Sequence, residues 1–399
     1  VNRKVIGELA LFLLFLLVLA VILQDTSIVT IIYFLVGAFL LGRWWRDRAL
    51  DSLEFHRRLH PRALLGETVS VQLEVLNRGW LPVPWVRIHE SLPVELAVPN
   101  FFRRAVALPP KGTAAVEYLL RGNKRGYYRI GPLYLQSGDL LGLEESRERL
   151  GAPDHLTVYP RIVPIQKCPI PSFSPIGVLR FHQPLFEDPT RVVGKRDYQA
   201  GDSLRRIDWK ASAAVGKLQV RQYEPAISLE VAIFLNLCTA DFEARSRIDA
   251  AELAVVTAAS LASYVAGKRQ PVGLETNGHD PLEPDSRIHS LPVRKGTGHM
   301  MLLMEKLARV QLADGESFAN LLRQRGSTLS WGTTQLVITG TPDALLFDEL
   351  LRARRMGLRS IVFLTAPVLR YEEFEGRARR LGIPLYEIRS ENDLERAML

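Results

Sequence analysis

Cysteine is scarce: Cys168 and Cys238 are the only two in 399 residues, and neither has a neighbouring thiol. Such lone thiols build no disulfide framework and no C-x-x-C redox or zinc motif, so two small buried thiols in a reducing compartment are expected. No G-x-x-x-x-G-K-[ST] loop and no G-x-S-x-G elbow occurs, which excludes a P-loop ATPase and an α/β-hydrolase nucleophile. Gly296-Thr-Gly298 is too short for a phosphate loop and reads as a helix-entry turn. The eight histidines include no pair at metal-ligand spacing. Acidic residues are outnumbered 43 to 51, and the net charge of +8 favours acidic protein or lipid surfaces. Neither an aromatic-interleaved basic patch nor zinc-finger spacing points to nucleic acid, and no cofactor motif is present.

Long apolar runs, by contrast, open the chain. Val5–Leu23 is broken only by Glu8, and Ile28–Leu41 follows the polar turn Gln24-Asp-Thr-Ser27. Runs of about 15–19 residues lie near the short limit for crossing a bilayer. Arg3 and Lys4 precede the first run, Arg43, Arg46 and Arg48 follow the second, and the turn carries no basic residue. The positive-inside rule therefore predicts a two-pass helical hairpin over 1–48 in the inner (cell) membrane, with both termini and the soluble domains cytoplasmic. Trp44 and Trp45 fall where an interfacial aromatic belt belongs. A signal peptide cleaved near Ala20 competes with this, but a second apolar run with a basic flank follows at once.

Residues 51–165 change to a two-residue period. Thr68–Asn77 alternates apolar and polar, Asn77-Arg-Gly-Trp80 is a turn, and Val83–Glu90 reads as the next strand. Ala114–Leu120, Tyr127–Ile130, Leu133–Gln136 and Leu156–Pro160 continue the series, which predicts an antiparallel β-sandwich. Arg57-Arg58 are read either as contacts for anionic headgroups or as solvated charge.

Residues 166–224 form a linker and a charged stretch. Cys168-Pro-Ile-Pro-Ser-Phe-Ser-Pro175 and Phe181–Pro189 read as an irregular crossing. From Gly194 to Glu224 the chain is dense in Arg, Asp, Tyr and Trp. Asp202 is the expected N-cap of a helix whose apolar face is Leu204, Ile207, Ala211 and Ala214, and Gly216 ends it. Asp202 with Arg206, and Arg205 with Trp209, stand four apart and are expected to pair. Two readings stay open: a recognition surface in which Arg196, Arg205 and Arg206 offer planar donors, or an Arg–Asp network that fixes a linker helix. A third is a hydrolytic or metal-dependent site on Asp202 and Asp208, although no His or Cys stands near in sequence.

Arg196-Asp-Tyr-Gln-Ala-Gly-Asp-Ser-Leu-Arg-Arg-Ile-Asp-Trp-Lys210 resembles the R-x-Y-x-x-G-D-x-x-R-x-I-D-W-K signature of the bacterial family "domain of unknown function 58". Arg196, Tyr198, Gly201, Asp202, Arg205, Ile207, Asp208, Trp209 and Lys210 carry the match, with Arg206 among them as a further candidate contact. Lys124-Arg-Gly-Tyr-Tyr-Arg-Ile-Gly-Pro132, Asp139-Leu-Leu-Gly-Leu143 and Val158-Tyr-Pro160 are similar to the family's other landmarks. The resemblance implies a membrane-anchored protein, typically encoded beside MoxR-type AAA+ ATPases and often beside transglutaminase-like membrane proteins. It implies in turn a partner-binding role in chaperone-like assembly at the membrane.

Residues 225–399 alternate strands and helices, predicting a doubly wound α/β sheet with ligands at the strand carboxyl ends. Their order resembles a von Willebrand factor A-like domain, a fold that often holds a metal on Asp-x-Ser-x-Ser and a later Asp. The matching positions here are Asn236, Cys238 and Ala240, with Gly340 in place of the Asp. A neutral amide and a soft thiol suit magnesium poorly, so no metal site is expected, although Thr239 and Asp241 keep oxygen donors nearby. The expected function is a membrane-anchored cytoplasmic scaffold or adaptor that binds a protein partner through 196–210, with no catalytic set.

Overall fold

A computed structural model of the chain describes residues 3–24, 26–97, 103–137, 147–166, 168, 170, 187–199, 202–225, 230–368 and 371–396. The Asp139–Leu143 landmark, most of the Pro/Ser-rich crossing, His182 and Leu229 lie outside these residues. The chain divides into two units, Val1–Arg161 and Ile162–Leu399.

Helices α1 (Arg3–Leu23) and α2 (Thr26–Asp51) begin the first unit. α1 carries the apolar stretch Leu11–Leu23, and α2 is long and apolar enough to cross a membrane, with none of its apolar window buried in the protein. α2 runs on past the predicted end at residue 48. The reason is packing: Ala49, Leu50 and Leu53 enter the core of the β-strands that follow. Trp45 is drawn the same way, donating its indole N–H to the Pro82 carbonyl at 2.9 Å.

Eleven strands complete this unit among the described residues: β1 (Leu53–Leu59), β2 (Arg62–Leu64), β3 (Thr68–Asn77), β4 (Val83–Glu90), β5 (Leu96–Ala97), β6 (Arg103–Leu108), β7 (Thr113–Gly122), β8 (Gly126–Ile130), β9 (Leu133–Ser137), β10 (Arg147–Leu150) and β11 (Asp154–Tyr159). They form three sheets, ordered β1-β3-β7-β5, β10-β9-β4-β6 and β2-β11-β8. Val69, Val71, Leu73 and Val75 of β3 all turn inward and join one core with Val86 and Ile88 of β4 and Leu156 and Val158 of β11. Alternation thus does its expected work, because one face of each strand escapes water.

That core also holds charge. Arg57 on β1 and Tyr118 on β7 both reach Glu90 on β4, so the cluster joins the two four-stranded sheets. Arg57 further donates to the Ala152 carbonyl at 3.1 Å and to Asp154. Burial and the Glu90 carboxylate push the Tyr118 hydroxyl far above its usual range. Arg57 is therefore no headgroup contact: its side chain is buried because Glu90 needs a counter-charge. Arg58 points outward and pairs with Glu74 at 3.4 Å.

The second unit has β12 (Glu187–Asp197), α3 (Trp209–Val215), β13 (Gln219–Pro225), β14 (Val231–Leu235), α4 (Arg247–Gly267), β15 (Val272–Thr276), β16 (His289–Arg294), α5 (Thr297–Arg309), α6 (Phe318–Gly326), β17 (Thr334–Thr339), α7 (Ala344–Arg355), β18 (Arg359–Leu364), α8 (Tyr371–Arg380), β19 (Leu385–Glu387) and α9 (Glu391–Arg396). Six of its strands make a sheet ordered β16-β15-β14-β17-β18-β19, parallel except for β16. Strands β14, β15 and β17 are buried along their whole length; β14 is apolar throughout, whereas β15 buries Glu275 and Thr276 and β17 buries Thr334, Gln335 and Thr339 as well. Phe318, Leu321, Phe347 and Leu350 from α6 and α7 cover one face with Phe234, Val337 and Val362. α4 lies against β14, β15 and β17. It is as long and apolar as a membrane span requires, but it is mostly buried and so is a core helix. The sequence order reverses between β14 and β17, and ligands of such sheets gather at that point.

Candidate functional site

The charged stretch folds around a two-stranded sheet of its own. β12 and β13 pair antiparallel, Lys195 opposite Arg221 and Asp197 opposite Gln219, and the residues between them fold back onto that ribbon. Residues 187–193, read from sequence as linker, are therefore part of a strand that runs on to Asp197 in the charged stretch. Leu204–Arg206 make one 3-10 turn, and the helix proper begins only at Trp209. Its N-cap is Asp208 rather than Asp202: the Asp208 carboxylate accepts from Ala211 N at 3.1 Å. The start is set by contacts distant in sequence. Asp208 N donates to Gln219 O at 2.9 Å, Ile207 bridges to Val220, and Ser212 Oγ links Asp208 O to Gln219 N. Gly216 ends the helix in the left-handed region (φ 76°), as expected.

Asp197, Asp202 and Asp208 are each held from within the stretch. Arg196 grips Asp202 in a two-pronged pair, 2.6 and 2.7 Å, and Gln199 N adds a third bond at 2.9 Å. Asp208 also meets Lys195 Nζ at 3.0 Å and Arg221 Nε at 3.4 Å. Asp197 accepts from the Gln219 amide. The expected Asp202–Arg206 pair is thus replaced by Asp202–Arg196, and Arg206 adds only a weaker attraction. The Arg196 hydrogen bond, then that of Gln199, holds the Asp202 carboxyl below its usual range. Lys195 and the Ala211 N–H hold Asp208 down at about 2. Neither carboxylate is poised to donate a proton at neutral pH, and bases this weak accept one poorly.

The remaining signature residues split by exposure. Ile207 is buried, and Tyr198 N ties back to Leu218 O at 2.9 Å. Leu204 (66% exposed) and Trp209 (68%) face outward beside Arg205, Arg206 and Lys210. Arg205 and Trp209 make no ring contact among the described residues, because the late helix start destroys their four-residue spacing. Gly201 lies outside the described residues.

Because Asp208 is held low, the sign of its pH effect is fixed. Its ion pairs stabilise the fold fully above about pH 4, the ordinary carboxylate value, and are lost as pH falls towards 2. Asp208→Asn keeps a capping side chain but removes the charge. The variant is expected to melt below wild type at pH 7, with the gap in Tm closing between about pH 4 and 2. A gap that stays constant over that range would mean that the charge contributes nothing.

The strand-end cleft is the second candidate. It encloses about 190 Å³ between Asn236, Asp241, Ser317, Thr339, Thr341 and Asp343. Asn236 Nδ2 donates to Asp241 at 2.7 Å and to Thr339 Oγ1 at 2.9 Å, while its Oδ1 accepts from Cys238 N and Asn277 Nδ2, both at 3.0 Å. All of the amide's bonding capacity is used, and a carboxylate there has no N–H for Asp241. Burial pushes the Asp241 carboxyl up, and the charge of Asp343 adds to this. At Gly340 a Cβ would stand 2.5 Å from Asp241 O and 2.6 Å from the Phe242 ring, so an Asp cannot enter without moving the 239–242 turn. Cys238 and Ala240 line the same cleft. These residues do not fit the metal that the fold resemblance implies: the position of its first carboxylate is an amide bonded on every side, and that of its last is closed by backbone.

A third cluster escaped the sequence. Asp280, Glu283 and His289 bring metal-ligand atoms within 4.8 Å of one another. Lys306 Nζ stands among them, 3.0 Å from Asp280, 2.8 Å from Glu283 and 3.4 Å from His289, and Arg309 adds a contact to Asp280 at 3.2 Å. Burial alone would raise the Asp280 carboxyl, but Arg309, Leu282 N and Lys306 hold it at about 2. Because an ammonium supplies the positive charge, the cluster is an ion-pair network. Sequence offered no signal, since Asp280 and Lys306 belong to a loop and a later helix.

Residues 194–344 match the sequence model of the family described as "Protein of unknown function DUF58". The resemblance carried by Arg196–Lys210 is thus shown over that segment. The chain is 24% identical over 324 residues to "Uncharacterized protein YeaD" of Bacillus subtilis (strain 168), spanning 79% of this chain and 75% of that protein. Among solved structures it is similar to the CARDB domain of PF1109 from Pyrococcus furiosus, with 16% identity, 27% of this chain, 94% of that chain and a TM-score of 0.21. It is also similar to a beta-glucosidase from Listeria innocua, with 13% identity, 27% of this chain, 16% of that chain and a TM-score of 0.18. At these scores neither likeness bears on fold or function.

Proposed function

We propose that this chain is a membrane-anchored scaffold that presents residues 204–210 to a protein partner. In this reading α1 and α2 cross the cell membrane with both ends cytoplasmic. The sheets of residues 53–159 act as a β-sandwich spacer, and the doubly wound sheet is a von Willebrand factor A-like domain whose metal function is lost. The partner is an AAA+ ATPase of the MoxR type, in chaperone-like assembly at the membrane, with a transglutaminase-like membrane protein as a second candidate. One observation carries the reading. The signature spends Arg196, Asp202 and Asp208 on internal bonds, yet leaves Leu204 and Trp209 bare beside Arg205 and Lys210. Exposed Trp and Arg on a braced backbone are what interface hot spots are made of. An enzyme built on Asp202 and Asp208 has less support, since both are ionised and engaged.

The test is a pull-down after mild crosslinking in native membranes. Wild type is compared with an Arg205→Ala, Trp209→Ala double variant, and thermal melts establish that both are folded. Capture of an AAA+ ATPase by wild type but not by the folded variant supports the proposal, and equal capture by both contradicts it.

A further inference from the structure

The turn between β3 and β4, residues 78–82, is held firmly and yet displays a tryptophan. Asn77 is buried, and its Nδ2 donates to Leu81 O at 2.8 Å and Pro109 O at 3.1 Å, while its Oδ1 accepts from Gly79 N at 2.9 Å. Ser52, just past the end of α2, donates to the same oxygen at 2.9 Å, and Trp45 donates to Pro82 O. The turn is thus clamped to the end of the apolar helix. Trp80 nevertheless stands 66% exposed, its ring 6.4 Å from that of Trp44, itself 49% exposed on α2. Beside them a cleft of about 250 Å³ is lined by Arg48, Asp51 and Ser52.

Helix geometry supplies the reason. Leu40 and Leu41 are the last exposed aliphatic residues of α2 before Arg43. At about 1.5 Å per residue, Trp44 lies roughly 4–5 Å beyond Leu41 along the helix. The headgroup layer on each side of a bilayer is about 5–8 Å deep, so Trp44 falls inside it. A ring 6.4 Å away on a turn clamped to the same helix end shares that layer. Indoles favour this region, because their ring is apolar and their N–H finds a polar partner. We propose that the 78–82 turn is a second membrane contact, with Trp80 lodged in the phospholipid headgroup layer beside Trp44. The aromatic belt then comes from one helix residue and one strand-turn residue, while Trp45 serves as the bracket between them. This contact sets the orientation of the first unit's sheets on the membrane, and it rests on the reading of α2 as a membrane span.

The experiment uses the full chain reconstituted into phosphatidylcholine–phosphatidylglycerol vesicles, with and without a nitroxide-headgroup lipid. Fluorescence of wild type minus Trp80→Phe isolates the Trp80 component, and Trp80→Tyr serves if the Phe variant does not fold. The nitroxide lipid is expected to reduce that component by roughly twofold or more. A component left unchanged, with the chain floating with the vesicles, overturns this contact and spares the membrane reading. A chain that does not float with vesicles overturns both.

Discussion

Replacing Glu90 by Ala is expected to destabilise the first unit by about 3–5 kcal/mol, because the change strands a buried guanidinium. The Glu90 side chain is fully covered, and it accepts from both Arg57 and the Tyr118 hydroxyl. In the variant the Arg57 charge keeps Asp154, which is half exposed, and the Ala152 carbonyl, but loses its fully covered carboxylate. Tyr118 loses the carboxylate that its hydroxyl is bonded to. With domain stabilities of about 5–15 kcal/mol, such a loss removes a large share of what holds the sheets together. Urea denaturation followed by circular dichroism measures it. Glu74→Ala is the control: it removes the exposed partner of Arg58 and is expected to cost less than about 1 kcal/mol. Equal effects of the two variants would mean that the Glu90 cluster is not the joint between the sheets.

The Arg205→Ala, Trp209→Ala variant is expected to weaken partner binding by about a hundredfold or more, at unchanged thermal stability. Hot-spot tryptophans and arginines each contribute on the order of 2 kcal/mol or more on truncation, and each 1.4 kcal/mol is about tenfold. Stability is spared because Trp209 is exposed and the first helical turn is capped by Asp208, not by either mutated residue. Asp208→Ala behaves in the opposite way: it removes the cap and the contacts to Lys195 and Arg221, so it lowers Tm first. Titration of the detergent-solubilised chain with a purified AAA+ partner separates the two. A double variant that binds as tightly as wild type would place the interface elsewhere.

Much of the secondary structure was legible because local pattern and burial agree. The alternation of Thr68–Asn77 became β3 with its predicted bounds, and the apolar run before Asn236 became β14 in the middle of a parallel sheet. What sequence could not reveal depends on distant partners. Asp202 and Asp208 are equally good caps by type, and the pairing of 207–208 with 219–220 decides between them. β12 contains Pro189 and Gly194 and reads as linker until β13 supplies its hydrogen bonds. β1 reads as charged because Arg57 sits in it, and only Glu90, 33 residues later, explains how that charge is buried. At the candidate site the signature was visible as a string, but its division into braced acids and exposed Leu204, Arg205 and Trp209 was not. The degraded metal positions were legible residue by residue. That Asn236 bridges Asp241 and Thr339, and that backbone closes the space at Gly340, required coordinates.

The most direct measurement places a photoreactive benzophenone amino acid at position 213 of the full-length chain in native membranes, an exposed alanine one helical turn beyond Trp209, so that Trp209 itself is kept. Irradiation followed by mass spectrometry then identifies what lies against that face. The scaffold proposal predicts one dominant crosslink to an AAA+ ATPase, lost on adding Arg205→Ala. Crosslinks only to lipid or to this chain itself, with wild-type folding retained, would contradict it.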